Sequence, residues 1–451
     1  MADTLNTPLN ETLVHEPLNL PATRRRVLWA GARTWSPKGV LALVDQGLIS
    51  GANFIVGILL ARNLAPHEYG AYALAFQVFL FLSVSYSAMI LEPLSVFGSS
   101  VYRDTNHEYL GVLLRVYGVI AAVTVLGLGV CAWVLSLVSP RSHLTAALIG
   151  VAIASPCMLL FSLARRGFYV KLSPRQAAVG ALGYFAVVIG GLSLVFYRGW
   201  LSPLAAFLLI AAGAGITGPL MLGRLGFALK PRRGVMKLSE VVRRHWGYGR
   251  WALGSALAVW FSAAIYFPIL GSFHGLAATG TLQALSNFSS PIAQAFVAMS
   301  MLTLPYAAGV HHGNSSTGAH RLAAKLAIVY AGGTILYWLM MVTFRWQIVG
   351  HLYAGKYMGI VGLIPWLGVS SVLRISATSQ AIILRAMHAP ALVFRAYGTA
   401  SVVDVVAGIP LTWVFGLWGA IIGMVSSSAV ALIVTFTMLH RRQPAPDFLK
   451  P

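Results

Sequence analysis

Acidic residues are scarce in this chain: 11 Asp and Glu stand against 32 Lys and Arg in 451 residues, and only 10% of residues are charged. A soluble globular domain carries about 25% charged residues, so a water-soluble fold is excluded. Cysteine occurs twice, as Cys131 and Cys157, both inside apolar runs. Disulfides and thiolate metal sites are therefore not expected. No G-x-x-x-x-G-K-[ST] loop is present, which argues against direct ATP hydrolysis. The pair His311–His312 has no carboxylate or thiolate nearby in sequence, and neither a metal nor any other cofactor is expected. The first 39 residues are polar and lack the apolar core of a cleaved signal peptide, so they read as a disordered basic cytoplasmic tail.

What the chain does contain is apolar length. Hydrophobic residues make up 58% of it, with a mean hydropathy of +0.76. Runs long enough to cross ~30 Å of hydrocarbon as helices fall at 40–61, 71–97, 110–135, 144–163, 177–197 and 201–223. A second set falls at 251–271, 281–307, 324–344, 359–384, 398–415 and 418–439. The expected fold is an all-α integral membrane protein of about 12 transmembrane helices. It divides into a tail (1–39), a six-helix lobe (40–223), a basic linker (224–250), a second six-helix lobe (251–439) and a short tail (440–451).

The net charge of +21 raises the question of nucleic acid, and the placement of the charges answers it. With the N-terminus inside, 25 Lys and Arg lie in inner segments, 5 in outer loops, and Arg115 and Arg374 within spans. This asymmetry is topological: it predicts both termini in the cytoplasm and no nucleic-acid partner. Within the linker, LSEVVRRHWGYGRW predicts a helix in the membrane interface, with Trp246, Tyr248 and Trp251 at headgroup depth and arginines toward anionic lipid.

A repeat supports two related lobes. The stretch Leu43–Gln77 has a fainter counterpart at Trp251–Gln294, and Gly70 of the first aligns with Gly280 of the second. Polar residues in the two copies form stripes. Gln46, Ser50, Asn53 and Gly57 share one helical face, as do Gln283, Asn287, Ser290 and Gln294; Ser371, Arg374 and Thr378 form a third stripe. Such groups cannot face lipid unpaired, so they either bond between helices or line a cavity.

Five ionisable residues lie in the predicted spans: Asp45, Glu92, Arg115, Arg374 and Asp404. Each costs ~2.5–3.5 kcal/mol near a helix centre, so each needs a partner or a polar cavity. Asp45, Glu92 and Arg115 share one layer near the cytoplasmic boundary and could neutralise one another. Asp404 could pair with Arg374, the deepest charge. Alternatively the arginines meet an anionic headgroup, a bidentate guanidinium suiting phosphate, while the carboxylates couple ions or protons.

The run ILLARNLAPHEYGAYALAF, with its Ala-Arg-x-Leu-x-Pro-x-x-Tyr-Gly turn, resembles the N-terminal signature of bacterial oligosaccharide flippases. These are the O-antigen and exopolysaccharide translocases of the multidrug/oligosaccharidyl-lipid/polysaccharide exporter superfamily. ARRGFYVKLSPRQAA, HWGYGRWAL and HLYAGKYMG fall where that family has similar segments, so the resemblance spans about residues 40 to 440. It implies two lobes related by a pseudo-two-fold axis around a central cavity in the bacterial cytoplasmic (inner) membrane. It also implies alternating-access translocation of undecaprenyl-pyrophosphate-linked oligosaccharide for surface polysaccharide such as lipopolysaccharide or exopolysaccharide, without covalent catalysis. Lipid-linked oligosaccharide, membrane lipids, a polysaccharide polymerase and other assembly proteins are the implied partners.

The expected substrate-binding set is Arg374, Arg115, Asn53, Gln46, Gln283, Asn287 and Gln294, with Asp45, Glu92 and Asp404 as coupling groups or charge partners. Two intramembrane arginines are few for a pyrophosphate, which leaves mouth residues such as Arg103 or Arg165 to complete the site, or a less anionic substrate. Arg62 is expected to anchor its outer turn. A multidrug/cation antiporter of the same superfamily is the competing function. A membrane polymerase or ligase fits less well, because the longest outer loop, 345–358, has 14 residues.

Overall fold

The computed structural model describes residues 22–140, 142–228, 236–296, 316–386 and 390–441, and the regular structure among them is entirely helical. Ten helices are long and apolar enough to cross a membrane, or 11 if a bent pair is one span. One of the ten is double. The segment Ala252–Phe296 has 45 residues, about 67 Å if straight, against a core of ~30 Å. Its backbone reverses at Gly275, where φ is 81° and ψ 169°, a conformation open to glycine because it has no Cβ. Thr279 Oγ1 consequently donates to the carbonyl of Phe267 at 3.3 Å, although a continuous helix would hold those residues ~18 Å apart. The hairpin supplies two crossings, so that with the bent pair counted as one span the described residues provide twelve.

In chain order the helices are α1 (Ala22–Asn63), α2 (Pro66–Ser99, including a single π turn), α3 (Asn106–Val138), α4 (His143–Val170), α5 (Pro174–Tyr197) and α6 (Pro203–Leu225). The hairpin limbs are α7 (238–274) and α8 (276–296). Then come α9 (Ser316–Thr343), the short α10 (Arg345–Tyr353) bent 74° from it, α11 (Ile364–Ala386), α12 (390–415, with a second π turn) and α13 (Leu417–Arg441). Helices α1 and α3 to α6 pack mainly within the first lobe, with α4 and α6 at its centre, and α9, α11, α12 and α13 pack likewise; α2 packs most extensively on α8 across the two lobes, and α7 lies between α2 and α12.

Three expectations are corrected. Residues 22–39 belong to α1 rather than to a disordered tail; the stretch is rich in Ala and Arg, which lose little side-chain freedom in a helix. The segment 238–250 is continuous with the seventh span instead of forming a separate interfacial helix. Residues 345–353, expected as loop, form α10. The end of the eighth span, 297–307, and His311–His312 lie outside the described residues.

Two prolines shape the helices that face the lobe interface. Pro93 follows a π turn over Ser87–Leu91, where the Glu92 N–H bonds to Ser87 O; Pro410 follows another over Asp404–Gly408, where Ile409 N–H bonds to Asp404 O. A proline cannot donate to the carbonyl four residues back, and its ring crowds it, so an inserted residue relieves the clash. For Pro93 that carbonyl belongs to Met89, and it is taken by His245 Nδ1 of α7 at 3.0 Å. A carbonyl only accepts, so Nδ1 carries the proton and Nε2 accepts from Tyr109 O–H at 2.6 Å. Gly249, one turn on, lies so close to Met89 that a Cβ would come within 3.1 Å of its Cα.

Burial lowers the His245 pKa from 6.5. The unfolded imidazole takes up a proton first as pH falls, so the neutral ring's contribution is full above pH 6.5 and is lost as pH drops toward the depressed folded value. Amide exchange in 241–249 is expected to accelerate below that pH in the native protein and to be fast at all pH values in His245→Ala. Exchange that is indifferent to both changes would contradict the assigned tautomer and its bonds.

Candidate functional site: a polar cavity with one guanidinium

Between the lobes lies a cavity of about 450 Å³, in the range of roughly 300–1,000 Å³ typical of ligand sites. Its walls come from both copies of the repeat and from α11 and α13. Asn53, Ser50 and Gly57 of α1 face Gln283, Asn287, Ser290 and Gln294 of α8, with Ser371, Arg374 and Thr378 on a third side. All three polar stripes thus reach the same space. Gln46 stands at its edge, donating from Nε2 to Gln294 Oε1 and to Ser50 Oγ, both at 3.2 Å.

Arg374 is surrounded by protein yet exposed, because its side chain faces the cavity. Among the described residues its guanidinium has no ion pair or hydrogen bond. Among the described residues it is also the one charged residue of the cavity lining, alongside many serines and side-chain amides. Beside it Thr378 Oγ1 and Tyr397 Oη lie 3.0 Å apart. The expected pairing with Asp404 is not formed. Asp404 is fully buried and accepts from Tyr266 O–H at 2.6 Å, while its second oxygen has no partner by hydrogen-bond geometry. Ser262 and Ser427 of the cavity wall flank it.

The other charges arrange themselves differently from the expected layer. Asp45 pairs with Arg165: Nη2 lies 2.5 Å from Oδ2, Nε donates to Oδ1 at 3.1 Å, and Tyr169 O–H adds a bond of 2.6 Å. Arg165 read as a loop residue because hydropathy falls after residue 163, but α4 runs on to Val170 and carries it to the buried carboxylate. Glu92 is within electrostatic reach of Arg166 and Tyr248. Arg115 is exposed on α3 and Arg103 in the turn after α2, both away from the cavity lining. Arg165 is committed to Asp45, so neither mouth arginine adds charge to the cavity.

Removing one partner of a buried, hydrogen-bonded ion pair costs about 3–5 kcal/mol because the other charge stays buried. Arg165→Ala is therefore expected to lower thermal stability by more than the double change Arg165→Ala with Asp45→Asn. Equal losses in a detergent unfolding series would contradict a coupled pair.

The end of the cavity away from Gln46 is closed by the Arg-x-Leu-x-Pro-x-x-Tyr-Gly segment, expected on the outer side. Arg62 Nη1 donates to His351 O at 2.8 Å, anchoring the turn, and Lys356 Nζ donates to Leu64 O at 3.2 Å. Pro66 opens α2, and Glu68 Oε2 accepts from the Ala65 N–H at 3.0 Å, which is the carboxylate half of a capping box, alanine having no side-chain acceptor to complete it. Tyr69 O–H accepts from Asn287 Nδ2 at 2.9 Å, and Tyr353 O–H accepts from the same nitrogen at 3.3 Å. Gly70 and Gly280 meet directly: a Cβ on Gly280 would lie 2.9 Å from Gly70 N, and one on Gly70 would lie 1.6 Å from Leu276 O. The repeat placed these glycines in equivalent positions, and the structure puts them in contact. That Asn287 bonds to Tyr69 and Tyr353 was not legible, because its stripe spacing looks the same for a residue open to the cavity.

No family model matches the sequence, and no curated protein matches it. Solved structures do match its fold. An inward-facing multidrug resistance MATE family transporter of the MOP superfamily superposes with a TM-score of 0.70 at 13% identity, covering 90% of this chain and 98% of the other. The lipid II flippase MurJ, in an inward closed conformation, gives 0.69 at 11%, covering 89% and 87%. A MOP superfamily transporter from Pyrococcus furiosus, described as having a binding pocket of reverse polarity, gives 0.62 at 13%, covering 90% and 94%. The chain is a multi-pass membrane protein with the two-lobed, all-helical fold of the MOP superfamily transporters.

Proposed function

We propose that this protein translocates lipid-linked oligosaccharide across the cytoplasmic membrane by alternating access, for surface polysaccharide biosynthesis. The observation that carries this reading is the cavity's charge: among the described residues its lining has one guanidinium with no hydrogen bond or ion pair, no carboxylate, and many hydroxyls and amides. An anionic headgroup supplies the counter-charge that Arg374 lacks, and sugar hydroxyls match Asn53, Gln283, Asn287, Gln294 and the serines. A cationic drug would meet a like charge instead. The undecaprenyl tail remains in lipid throughout.

The lobes 40–223 and 251–439 rock as units joined by 224–250, with both termini cytoplasmic. Substrate enters from the cytoplasm: among the described residues the inner contacts are Gln46–Gln294 and the two His245 bonds of α7, whereas the outer gate combines backbone contact and four side-chain bonds. Of the intramembrane carboxylates, Asp404 suits coupling to a proton or cation, because one of its oxygens is unbonded. Asp45 is taken up by its pair with Arg165 and is structural.

In cells lacking the protein, lipid-linked repeat units are expected to accumulate on the inner leaflet while surface polysaccharide disappears. Unchanged polysaccharide combined with hypersensitivity to cationic dyes would favour an antiporter and contradict the proposal.

A further inference from the structure

The cytoplasmic end of α7 carries a second pattern that the transport reading does not use. Its inward face, Val241, His245 and Gly249, is buried against the first lobe. Ser239, Arg243, Trp246 and Arg250 are spaced at i, i+4, i+7 and i+11, which places them on one other face, and all four are exposed. Val242 adjoins them at 45% exposure and Trp246 is 56% exposed. Arg244 points elsewhere and is neutralised by Glu240 at 2.9 Å.

Depth gives this face its meaning. The apolar span begins at Ala252, so Arg250, Trp246 and Arg243 lie ~3, ~9 and ~13 Å beyond the hydrocarbon. The headgroup layer is about 5–8 Å thick on each side, and arginine side chains are long enough to reach back into it. On this count Arg250 stands within the headgroup layer, with Trp246 at its water-facing edge and Arg243 just beyond it, so that the two guanidinium forks bracket phosphate from either side of the indole.

We propose that the Arg243–Trp246–Arg250 face of α7 is a binding site for an anionic phospholipid headgroup. The charge complementarity selects that occupant: two cations and an indole at the interface, with no acidic residue on the face. A lipid held there is attached to the same turns that bind Met89 and Tyr109 of the first lobe.

The test is retention of phosphatidylglycerol against phosphatidylcholine of identical acyl chains by the full-length protein, taken from mixed bilayers and read by native mass spectrometry. Wild type is expected to keep phosphatidylglycerol selectively. Each interfacial arginine is worth about fivefold, so Arg243→Gln with Arg250→Gln is expected to weaken retention about thirtyfold. Arg244→Gln is expected to leave it unchanged. If the double variant does not fold, Arg243→Gln alone carries the test with about a fivefold loss. Equal retention of the two lipids by wild type, or an Arg244→Gln loss equal to that of Arg243→Gln, would overturn the site in favour of diffuse attraction to a basic surface.

Discussion

Replacing Arg374 with alanine is expected to lower polysaccharide export by about 100-fold, because losing one side of a buried charge pair costs about 2–5 kcal/mol. The same change is expected to raise the melting temperature of the substrate-free protein. A guanidinium at mid-membrane without a protein partner costs about 2.5–3.5 kcal/mol, and alanine removes that cost. These opposite signs separate a ligand site from a structural ion pair, which would lose stability when broken. Arg374→Lys keeps the charge but not the planar fork, so partial export is expected. Normal export by Arg374→Ala in cells, measured with the protein level, would remove Arg374 from the site.

The second large effect is expected at the touching glycines. A methyl group at Gly70 would sit 1.6 Å from Leu276 O, and one at Gly280 would sit 2.4 Å from Pro66 O. Both obstacles are backbone atoms, so no side-chain rotation makes room and the outer gate must part. Overpacking of this kind costs about 1–3 kcal/mol or more, enough to move a two-state equilibrium ten- to hundredfold toward the outward-open form. With Cys131 and Cys157 replaced, a cysteine at Gln283 is expected to be shielded from an impermeant maleimide added outside the wild type. It is expected to be labelled in Gly70→Ala. Equal labelling would show that the contact does not close the gate.

Much of the fold was legible because its cause is local. Crossing a bilayer demands apolar length, and the break between apolar runs at 272–280 is the hairpin that Gly275 closes. The polar stripes were equally legible, since helical spacing alone puts Asn53, Asn287 and Arg374 on single faces. Which stripe residue bonds and which stays open was not. Asn287 spends its amide on Tyr69 and Tyr353, and Asn53 accepts from Tyr184 at 3.2 Å.

The charges were hardest to read. Depth counted along a helix gives a layer but not an azimuth, so Asp45 and Arg115 share a level while Arg115 lies exposed on α3. The true partner of Asp45 was hidden because hydropathy ends α4 before Arg165, whereas a paired arginine lets the helix continue. His245 could not be recognised as the acceptor's donor without knowing that Pro93 frees the Met89 carbonyl.

The most direct test of the central claim is leaflet transfer by the purified protein in sealed vesicles. Undecaprenyl-pyrophosphate-linked oligosaccharide is placed in both leaflets, and the fraction that an impermeant sugar-oxidising reagent reaches from outside is followed with time. The account predicts that the reachable fraction climbs from about half toward completion with wild type and stays near half with Arg374→Ala. No difference between wild type and protein-free vesicles, under any imposed ion gradient, would contradict it.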